Sequence, residues 1–475
     1  MEQRRQRPNN SGQLMHLILV VLFLFLTISL IVKSCADNST QNTETNNRPP
    51  VLATNPVNPT DPSGPDKPEG PAVVASATIG VTGDIMAHGP VLNTAIQDDG
   101  TYDFTESFRY IAPYFSSYDF MVANLEVTLG GTEAGQYRGY PTFNCPDSMI
   151  DALKNAGVDM VTTATNHSYD TGHNGFIRTQ QVLDEKGMIY VGTRTSEDDA
   201  KYTIQNINGV KVGMINYTYE QEGSTGPQKN LNGIKMTEAD SPLINSFNYR
   251  KMDAFYNEAE EAVTKMRSEG AEFVIFFMHW GNEYELTPSN TQKKIAQTLC
   301  EKGVDVIVGG HPHVVQPMQV LTSENGNQTI CLYSTGNNLS NQRRHEIKSS
   351  PNGHTEDGII FSVEFSKYSD GTKAISNVNV TPLWVSLDKT GDESMYTVLP
   401  VDITYTSVPA ISRFADAVNS VIDPDRRPTA VEAFLPSDTS QIASSYNRTM
   451  NAVLFSLNEC RTALGLTPVK NTPGN

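Results

Sequence analysis

Six short and uninterrupted apolar runs, separated by helical patterns, constrain the fold of this chain more than any other feature. The runs are ATIGVTGD, DFMVANLE, VDMVTTATN, KVGMINY, EFVIFFMHW and VDVIVGG, and their continuous apolar character is typical of strands covered on both faces. The stretches between them, such as SMIDALKNAG and PSNTQKKIAQTLCEKG, are helical in periodicity and close on glycine. The pattern predicts an α/β layered domain, whose ligands bind at the edge formed by the strand C-termini.

The later segments have a different character. VVQPMQVL, TICLYSTG, GIIFSVEFS and ISNVNVTPLWVSL read as antiparallel strands with little helix between them. Beyond about residue 405, AISRFADAVNSVID and SYNRTMNAVLFSLNECRTALG are amphipathic and predict helices joined by a proline-containing segment. We therefore expect an α/β domain over 76–390 and a helical C-terminal extension over 405–475, in which no catalytic cluster is evident.

The N-terminus predicts a membrane anchor. The run LMHLILVVLFLFLTISLIV offers 19 uncharged positions, just enough to cross a bilayer as a helix. Three arginines in the preceding tail, 1–13, and an acidic chain after the run favour a cytoplasmic N-terminus. We therefore expect a transmembrane helix over 14–33, which makes this a single-pass protein of the cell membrane with its main domain extracellular.

Two other interpretations of this segment stay open. A cleavable signal peptide is one, although its apolar region is normally shorter and followed by small residues. The other is lipid attachment at Cys35, against which Lys33 argues because it stands just before the small residue. The segment 37–75 is rich in Asn, Thr and Pro and almost free of large apolar residues, which predicts a disordered linker.

Charge and cysteine content exclude some classes of function. The formal net charge of -18 repels phosphate backbones, so we expect no nucleic-acid partner. The five cysteines contain no CxxC pair, which excludes a zinc knuckle and a dithiol redox motif. They allow one disulfide but do not predict it.

Polar side chains stand at the ends of successive predicted strands. They are Asp84, Glu126, Asn166 with His167, His279, and the pair His311 and His313. Each alone has an ordinary explanation as a cap, a turn residue or a hydrogen-bonded core histidine. Carboxylates, an amide and imidazoles at one edge together predict a hydrolytic centre for one or two divalent metal ions, which would be manganese, iron or zinc.

Six segments in order give the chain a family resemblance: GDIMAHGPVL, YDFMVANLEVTL, DMVTTATNHSYD, FMHWGNEYE, VDVIVGGHPHVVQP and YSTGNN. It resembles the CapA-type poly-γ-glutamate capsule-synthesis proteins, a branch of the calcineurin-like metallophosphoesterase superfamily, over about residues 76–390. The resemblance implies a four-layer α/β/β/α sandwich. It also implies that the metal ligands are Asp84, Glu126 in place of a bridging Asp, Asn166, His279, His311 and His313, and that His167 is a catalytic residue that orients or protonates the substrate.

One position departs from the superfamily pattern. The first motif of the superfamily is Asp-x-His, whereas the third position here is Met86. The nearest histidine, His88, is a candidate replacement ligand, and water is another. A site for a single metal ion is a third alternative.

The resemblance implies two functions. The first is a hydrolase that uses a metal-bound hydroxide on a phosphoester or amide of a cell-envelope polymer or its precursor. The second is a non-catalytic assembly or export subunit of a membrane poly-γ-glutamate synthase, in which case Met86 would mark a vestigial metal site. Nearby charges at Glu283, Glu285 and Arg138 either face the substrate or are solvated loop residues.

Overall fold

Two β-sheets packed face to face form the centre of the fold. The computed structural model describes residues 70–221, 223, 228–350, 352–390, 393–401 and 439–469. The strands are β1 (Val73–Ile85), β2 (Phe120–Leu125), β3 (Met160–Thr162), β4 (Ile189–Val191), β5 (Tyr202–Ile207), β6 (Val210–Tyr219), β7 (Asn230–Leu231), β8 (Ile234–Lys235), β9 (Ser246–Phe247), β10 (Phe273–His279), β11 (Val306–Gly310), β12 (Val315–Thr322), β13 (Gln328–Thr335), β14 (Asn337–Leu339), β15 (Asp357–Tyr368), β16 (Lys373–Thr390) and β17 (Glu393–Pro400).

Eight α-helices are described. They are α1 (Gly89–Ala95), α2 (Thr105–Phe108), α3 (Ala112–Phe115), α4 (Ser148–Ala156), α5 (Gly172–Glu185), α6 (Met252–Ser268), α7 (Asn290–Glu301) and α8 (Thr439–Ala463). α4 is capped at its C-terminus by Gly157, whose φ of 100° is in the left-handed region that favours glycine. α7 begins with a capping box formed by Ser289 and Gln292.

Both sheets are mixed. The first has the order β17-β16-β15-β1-β2-β3-β4, with β14 beside β1, and β1 to β4 run parallel while β15 to β17 are antiparallel. The second has the order β12-β13-β11-β10-β6-β5, with β6, β10, β11 and β13 parallel. The α/β class predicted from the sequence is confirmed, and each of the six apolar runs contains a strand.

The two sheets share an inner core, and each carries helices on its outer face. The rings of Phe273 and Phe365, one from each sheet, stack with centroids 4.3 Å apart. Successive residues of β2 alternate between faces, since Val122 belongs to the inner core and Met121 packs among the residues of α1 to α5. α6 and α7 cover the outer face of the second sheet. The order of layers is therefore helix, sheet, sheet, helix.

The C-terminal helix α8 packs against β12, β15 and β16. Its Val453, Leu457 and Cys460 are fully buried in the same core as the inner faces of both sheets. The hydroxyl of Ser456 accepts a hydrogen bond of 2.9 Å from the backbone N–H of Met318, in the edge strand β12. α8 thus covers one edge of the second sheet and contains most of the second predicted C-terminal helix, whereas the first lies outside the described residues.

The predicted tail 1–13 and anchor 14–33 also lie outside the described residues, as does the linker 37–75 up to residue 69. The last three residues of the predicted linker, 73–75, instead begin β1. Within the described ranges, no helix has the length and apolar content needed to span a bilayer.

A buried ion pair fastens α8 to the first sheet. The guanidinium of Arg448 donates to both carboxylate oxygens of Asp357, at 2.6 and 2.7 Å, and Ser445 donates a third hydrogen bond at 2.6 Å. The side chain of Asp357 is 1% exposed and that of Arg448 is 11% exposed. Because little water reaches this pair, removal of one partner leaves a buried charge uncompensated.

We expect Arg448→Ala to lower the free energy of unfolding by about 3 kcal/mol, measured by urea denaturation followed by circular dichroism. The matched control is Lys302→Ala, which breaks a surface pair with Glu260 of similar length, 2.6 Å. That pair is solvated, so its loss should cost less than about 1 kcal/mol. Losses of equal size in the two variants would contradict a stabilising role for the buried pair.

Candidate metal centre

The strand ends of the two sheets bring five of the predicted ligands together. Asp84 is the last residue but one of β1, Glu126 follows β2 directly, and His279 ends β10. His311 and His313 lie in the turn after β11. Asp84 pairs with Asn124 of β2, and His279 pairs with Gly310 of β11, so each sheet sets its own strand ends side by side. All five residues are buried.

The ligand atoms of these residues form overlapping clusters. In each cluster they lie within 4.8 Å of one another, and the clusters are Glu126 with His279 and His311, Asp84 with Glu126 and His313, and Glu283 with His311 and His313. Glu126 is common to the first two. Asn166 lies beside the first, with its Oδ1 2.7 Å from Nε2 of His279. Two of the three clusters therefore share one carboxylate.

The surroundings of Glu126 indicate whether these residues fit a metal ion. Its side chain is 0% exposed, yet neither carboxylate oxygen has a hydrogen-bond partner among the described residues. Its Oε1 lies 3.2 Å from Nε2 of His279, a nitrogen that is closer to Asn166. Nδ1 of His311 is also buried without a hydrogen bond to any described residue. Unpartnered buried acceptors are costly, and divalent cations would satisfy them, so the residues fit a metal centre.

The turn after β11 is held tightly against Asp84. The backbone N–H of His311 donates to Oδ2 of Asp84 at 3.2 Å, and Nδ1 of His313 lies 2.9 Å from the same oxygen. His311 and His313 have positive φ angles of 91° and 56°, which strain a residue other than glycine. A Cβ atom at Gly310 would lie only 2.9 Å from Oδ1 of Asp84. The H-x-H pair therefore reaches the carboxylate through a turn that requires glycine before it.

The environment sets different charges on these groups. Burial opposes ionisation of Asp84, but the hydrogen bond and charge of His313 outweigh it and hold the pKa below 3.8. Burial lowers the pKa of His311 well below 6.5, so this imidazole is neutral at pH 7. Burial also disfavours the charged form of His313, but Glu126 and Asp84 raise its pKa to about 9. Binding of an ion at His313 would therefore release a proton.

Asn124 holds Asp84 in place, a role that the sequence did not reveal. Its amide donates to Oδ1 of Asp84 at 2.7 Å, and its carbonyl oxygen accepts from Thr162 at 2.7 Å. These bonds fix the rotamer of Asp84. The signal available in the sequence was a single amide two positions before Glu126, in an otherwise apolar run.

His167 stands apart from the three clusters and is held by a carboxylate. Its Nδ1 lies 2.7 Å from Oδ2 of Asp170, which also accepts a hydrogen bond from the backbone N–H of Phe143 at 2.6 Å. Asn232 donates to Oδ1 of Asp170 at 2.8 Å. Since Nδ1 faces Asp170, Nε2 is the nitrogen left for a substrate. Asp170 and Asn232 were not predicted, although the spacing His-x-x-Asp is visible in NHSYD.

The structure does not bring His88 into any of the three clusters. Its Nδ1 accepts a hydrogen bond of 3.2 Å from the backbone N–H of Asn341, and burial lowers its pKa to about 4. Met86 is 1% exposed and packs in the apolar core beneath the helices of the first sheet. Arg138 is occupied within its own loop, where it donates to Thr142 at 3.1 Å and to the carbonyl of Ala134 at 3.2 Å.

Comparison with known proteins places these residues in a family context. The profile of the family described as bacterial capsule synthesis protein PGA_cap matches residues 78–342. The capsule biosynthesis protein CapA of Bacillus anthracis is 27% identical over 278 residues, which cover 58% of this chain and 62% of the relative. The PGA biosynthesis protein CapA of Bacillus subtilis (strain 168) is 27% identical over 242 residues, covering 50% and 57%. The chain thus spans about three-fifths of the length of these curated relatives.

Solved structures show weaker similarity. The NAD nucleotidase of Haemophilus influenzae superposes with a TM-score of 0.38 and 10% identity, over 78% of this chain and 60% of the nucleotidase. A purple acid phosphatase from yellow lupin seeds gives a TM-score of 0.33 and 9% identity, over 68% and 53%.

Proposed function

Because this chain belongs to the bacterial capsule synthesis protein PGA_cap family, we propose that it acts in capsule biosynthesis as a metal-dependent hydrolase of a cell-envelope polymer or its precursor. The observation that carries the proposal is Glu126, a buried carboxylate shared by two ligand clusters and without a hydrogen-bond partner among the described residues. The name of the Bacillus subtilis relative, PGA biosynthesis protein CapA, together with the family resemblance, favours poly-γ-glutamate as the polymer. The layered fold and the site at its strand ends are those expected of a metallophosphoesterase-like domain.

Each group of the site has a part in such a reaction. Bound divalent ions would polarise a phosphoryl or acyl oxygen and lower the pKa of an adjacent water. Asp84 and Glu126 would supply the negative charge that holds the ions, and Asn124 keeps Asp84 in position. His167, oriented by Asp170, would deliver a proton from Nε2 to the leaving group.

One observation favours a second candidate function. Met86 occupies the place of a ligand implied by the family resemblance, and its buried thioether is a poor donor for manganese or iron. A chain that had lost hydrolysis would retain the fold and serve as an assembly or export subunit of a membrane poly-γ-glutamate synthase.

The test is elemental analysis of the full chain, purified without chelator and offered Mn²⁺, Fe²⁺ or Zn²⁺, together with turnover of bis(4-nitrophenyl) phosphate and of poly-γ-glutamate. Bound metal with turnover of either substrate supports the hydrolase. A chain that binds none of the three ions contradicts it. Metal-free protein that co-purifies with a membrane synthase supports the assembly subunit.

We also propose that residues 14–33 anchor the protein in the cell membrane with its main domain outside. Deletion of residues 1–36 is expected to release a folded, soluble protein, because the linker 37–75 contributes little apolar surface to a core. Cys35→Ala should leave membrane association unchanged, measured by fractionation of cells. Release of the Cys35→Ala protein into the soluble fraction would show that a lipid, rather than a helix, holds it.

A further inference from the structure

We propose that Glu283 is a metal ligand that compensates for Met86, acting together with His311 and His313 on the open side of the centre. The inference rests on the proposed metal centre and concerns a residue outside the ligand set implied by the family resemblance. It assigns to this chain a third carboxylate at the centre, on the side open to solvent.

The carboxylate of Glu283 lies where a ligand would be needed. One of its oxygens is within 4.8 Å of ligand atoms of both His311 and His313, and the two histidines are buried while Glu283 is exposed. Glu126 contacts the centre from within the protein, whereas Glu283 approaches from the outer side. An ion near His313 therefore has protein carboxylates within reach on its buried and its open sides.

Backbone contacts fix this approach. Glu283 belongs to the loop after β10, and the next residue, Tyr284, donates its N–H to the carbonyl of Pro312 at 2.8 Å. Pro312 stands between the two histidines. The side chain of Gln316 donates to the carbonyl of Glu285 at 2.6 Å, which ties the same loop to β12. The loop and the H-x-H turn are therefore held side by side.

The backbone on both sides of this contact is strained. Tyr284 has a φ of 67°, and His311 and His313 also have positive φ angles. This kind of strain is concentrated at ligand clamps and active sites.

His88 is less suitable as a replacement for the missing histidine. Its Nδ1 already accepts a hydrogen bond from the backbone N–H of Asn341, and Met86 itself is buried in the apolar core. Without a further ligand, Asp84, Glu126 and His313 give one ion only three protein donors. A carboxylate in place of an imidazole also hardens the donor set, which favours Mn²⁺ over Zn²⁺.

A competing account is an ion pair between Glu283 and protonated His313, with no part in metal binding. Metal stoichiometry separates the two. The full chain and its variants would be equilibrated with Mn²⁺, the bound ion counted by elemental analysis, and the affinity measured by titration calorimetry. Wild type is expected to bind two ions, and Glu283→Gln to lose one or to bind it at least about tenfold more weakly.

Two variants sharpen the test. Glu285→Gln, in the same loop but outside every cluster, should bind both ions as wild type does. Glu283→Asp, which keeps the carboxylate, should retain part of the ion binding that Glu283→Gln loses. Rescue would show that Glu283 acts on the metal rather than on folding.

The outcomes distinguish this inference from the proposed function. Wild-type affinity for two ions in Glu283→Gln overturns the assignment of Glu283 and leaves the centre standing, as does a wild-type chain that binds a single ion. A wild-type chain that binds no ion overturns the metal centre itself.

Discussion

Glu126→Gln is expected to bind neither ion, the largest loss of metal that any single substitution in this chain should cause. The carboxylate belongs to two of the three ligand clusters, and no other described carboxylate belongs to more than one. An amide keeps the shape but removes the charge that offsets burial of two cations. The affinity for Mn²⁺ should fall beyond the roughly 100-fold that loss of a residue supporting a ligand can cost.

The measurement is elemental analysis after equilibration with Mn²⁺, accompanied by thermal unfolding with and without the ion. In wild type, a free ion concentration of 100 times Kd should stabilise the protein by about 2.7 kcal/mol per site, and the variant should lose this increment. His345→Ala is the control, because its side chain is 67% exposed and belongs to no cluster. A Glu126→Gln protein that retains two ions would rule out a bridging carboxylate.

His167→Ala is expected to lower hydrolytic turnover by about 10²- to 10⁴-fold while bound metal stays unchanged. The reason is its position, which is outside the ligand clusters and oriented by Asp170 toward proton transfer. Turnover of bis(4-nitrophenyl) phosphate and elemental analysis would be measured on the same preparations.

His173→Ala is a closely matched control. Nδ1 of His173 also lies 2.8 Å from a carboxylate, that of Asp240, but its side chain is 56% exposed. Its turnover should stay within about twofold of wild type. A His167→Ala protein that loses metal in proportion to activity would place this residue among the ligands instead.

Much of the fold follows from apolar patterning, because strands buried on both faces leave an uninterrupted run. β10 is an example, in which all seven residues from Phe273 to His279 are buried. β5 was not predicted, since five of its six residues are only partly buried or exposed and half of its sequence is polar. β17 was not predicted either. Both lie at sheet edges, where one side lacks a neighbouring strand. Edge position does not explain why β17 was missed, because its residues from Tyr396 to Leu399 are buried.

The ligands at strand ends were predictable for a related reason, since parallel strands bring their C-termini to one edge. The family resemblance drawn from six segments is confirmed by the profile match. Contacts that are set by loop conformation could not be predicted in this way. Asn232 reaches Asp170 from a hairpin 62 positions away, and no periodicity encodes that contact. His88 illustrates the reverse, because the nearest histidine to Met86 bonds to Asn341 instead.

The pairing of β1 with β15 has a consequence for how this protein folds during its synthesis on the ribosome. Thr82 pairs with Ile360, which is 278 residues further along the chain. At about 5–20 residues per second, ribosomes need roughly 14–56 seconds to make the intervening segment. Until then one side of β1 has no partner, so the nascent chain exposes an edge of unpaired backbone N–H and C=O groups. We therefore expect the yield of folded protein to depend on the supply of chaperones that shield such edges.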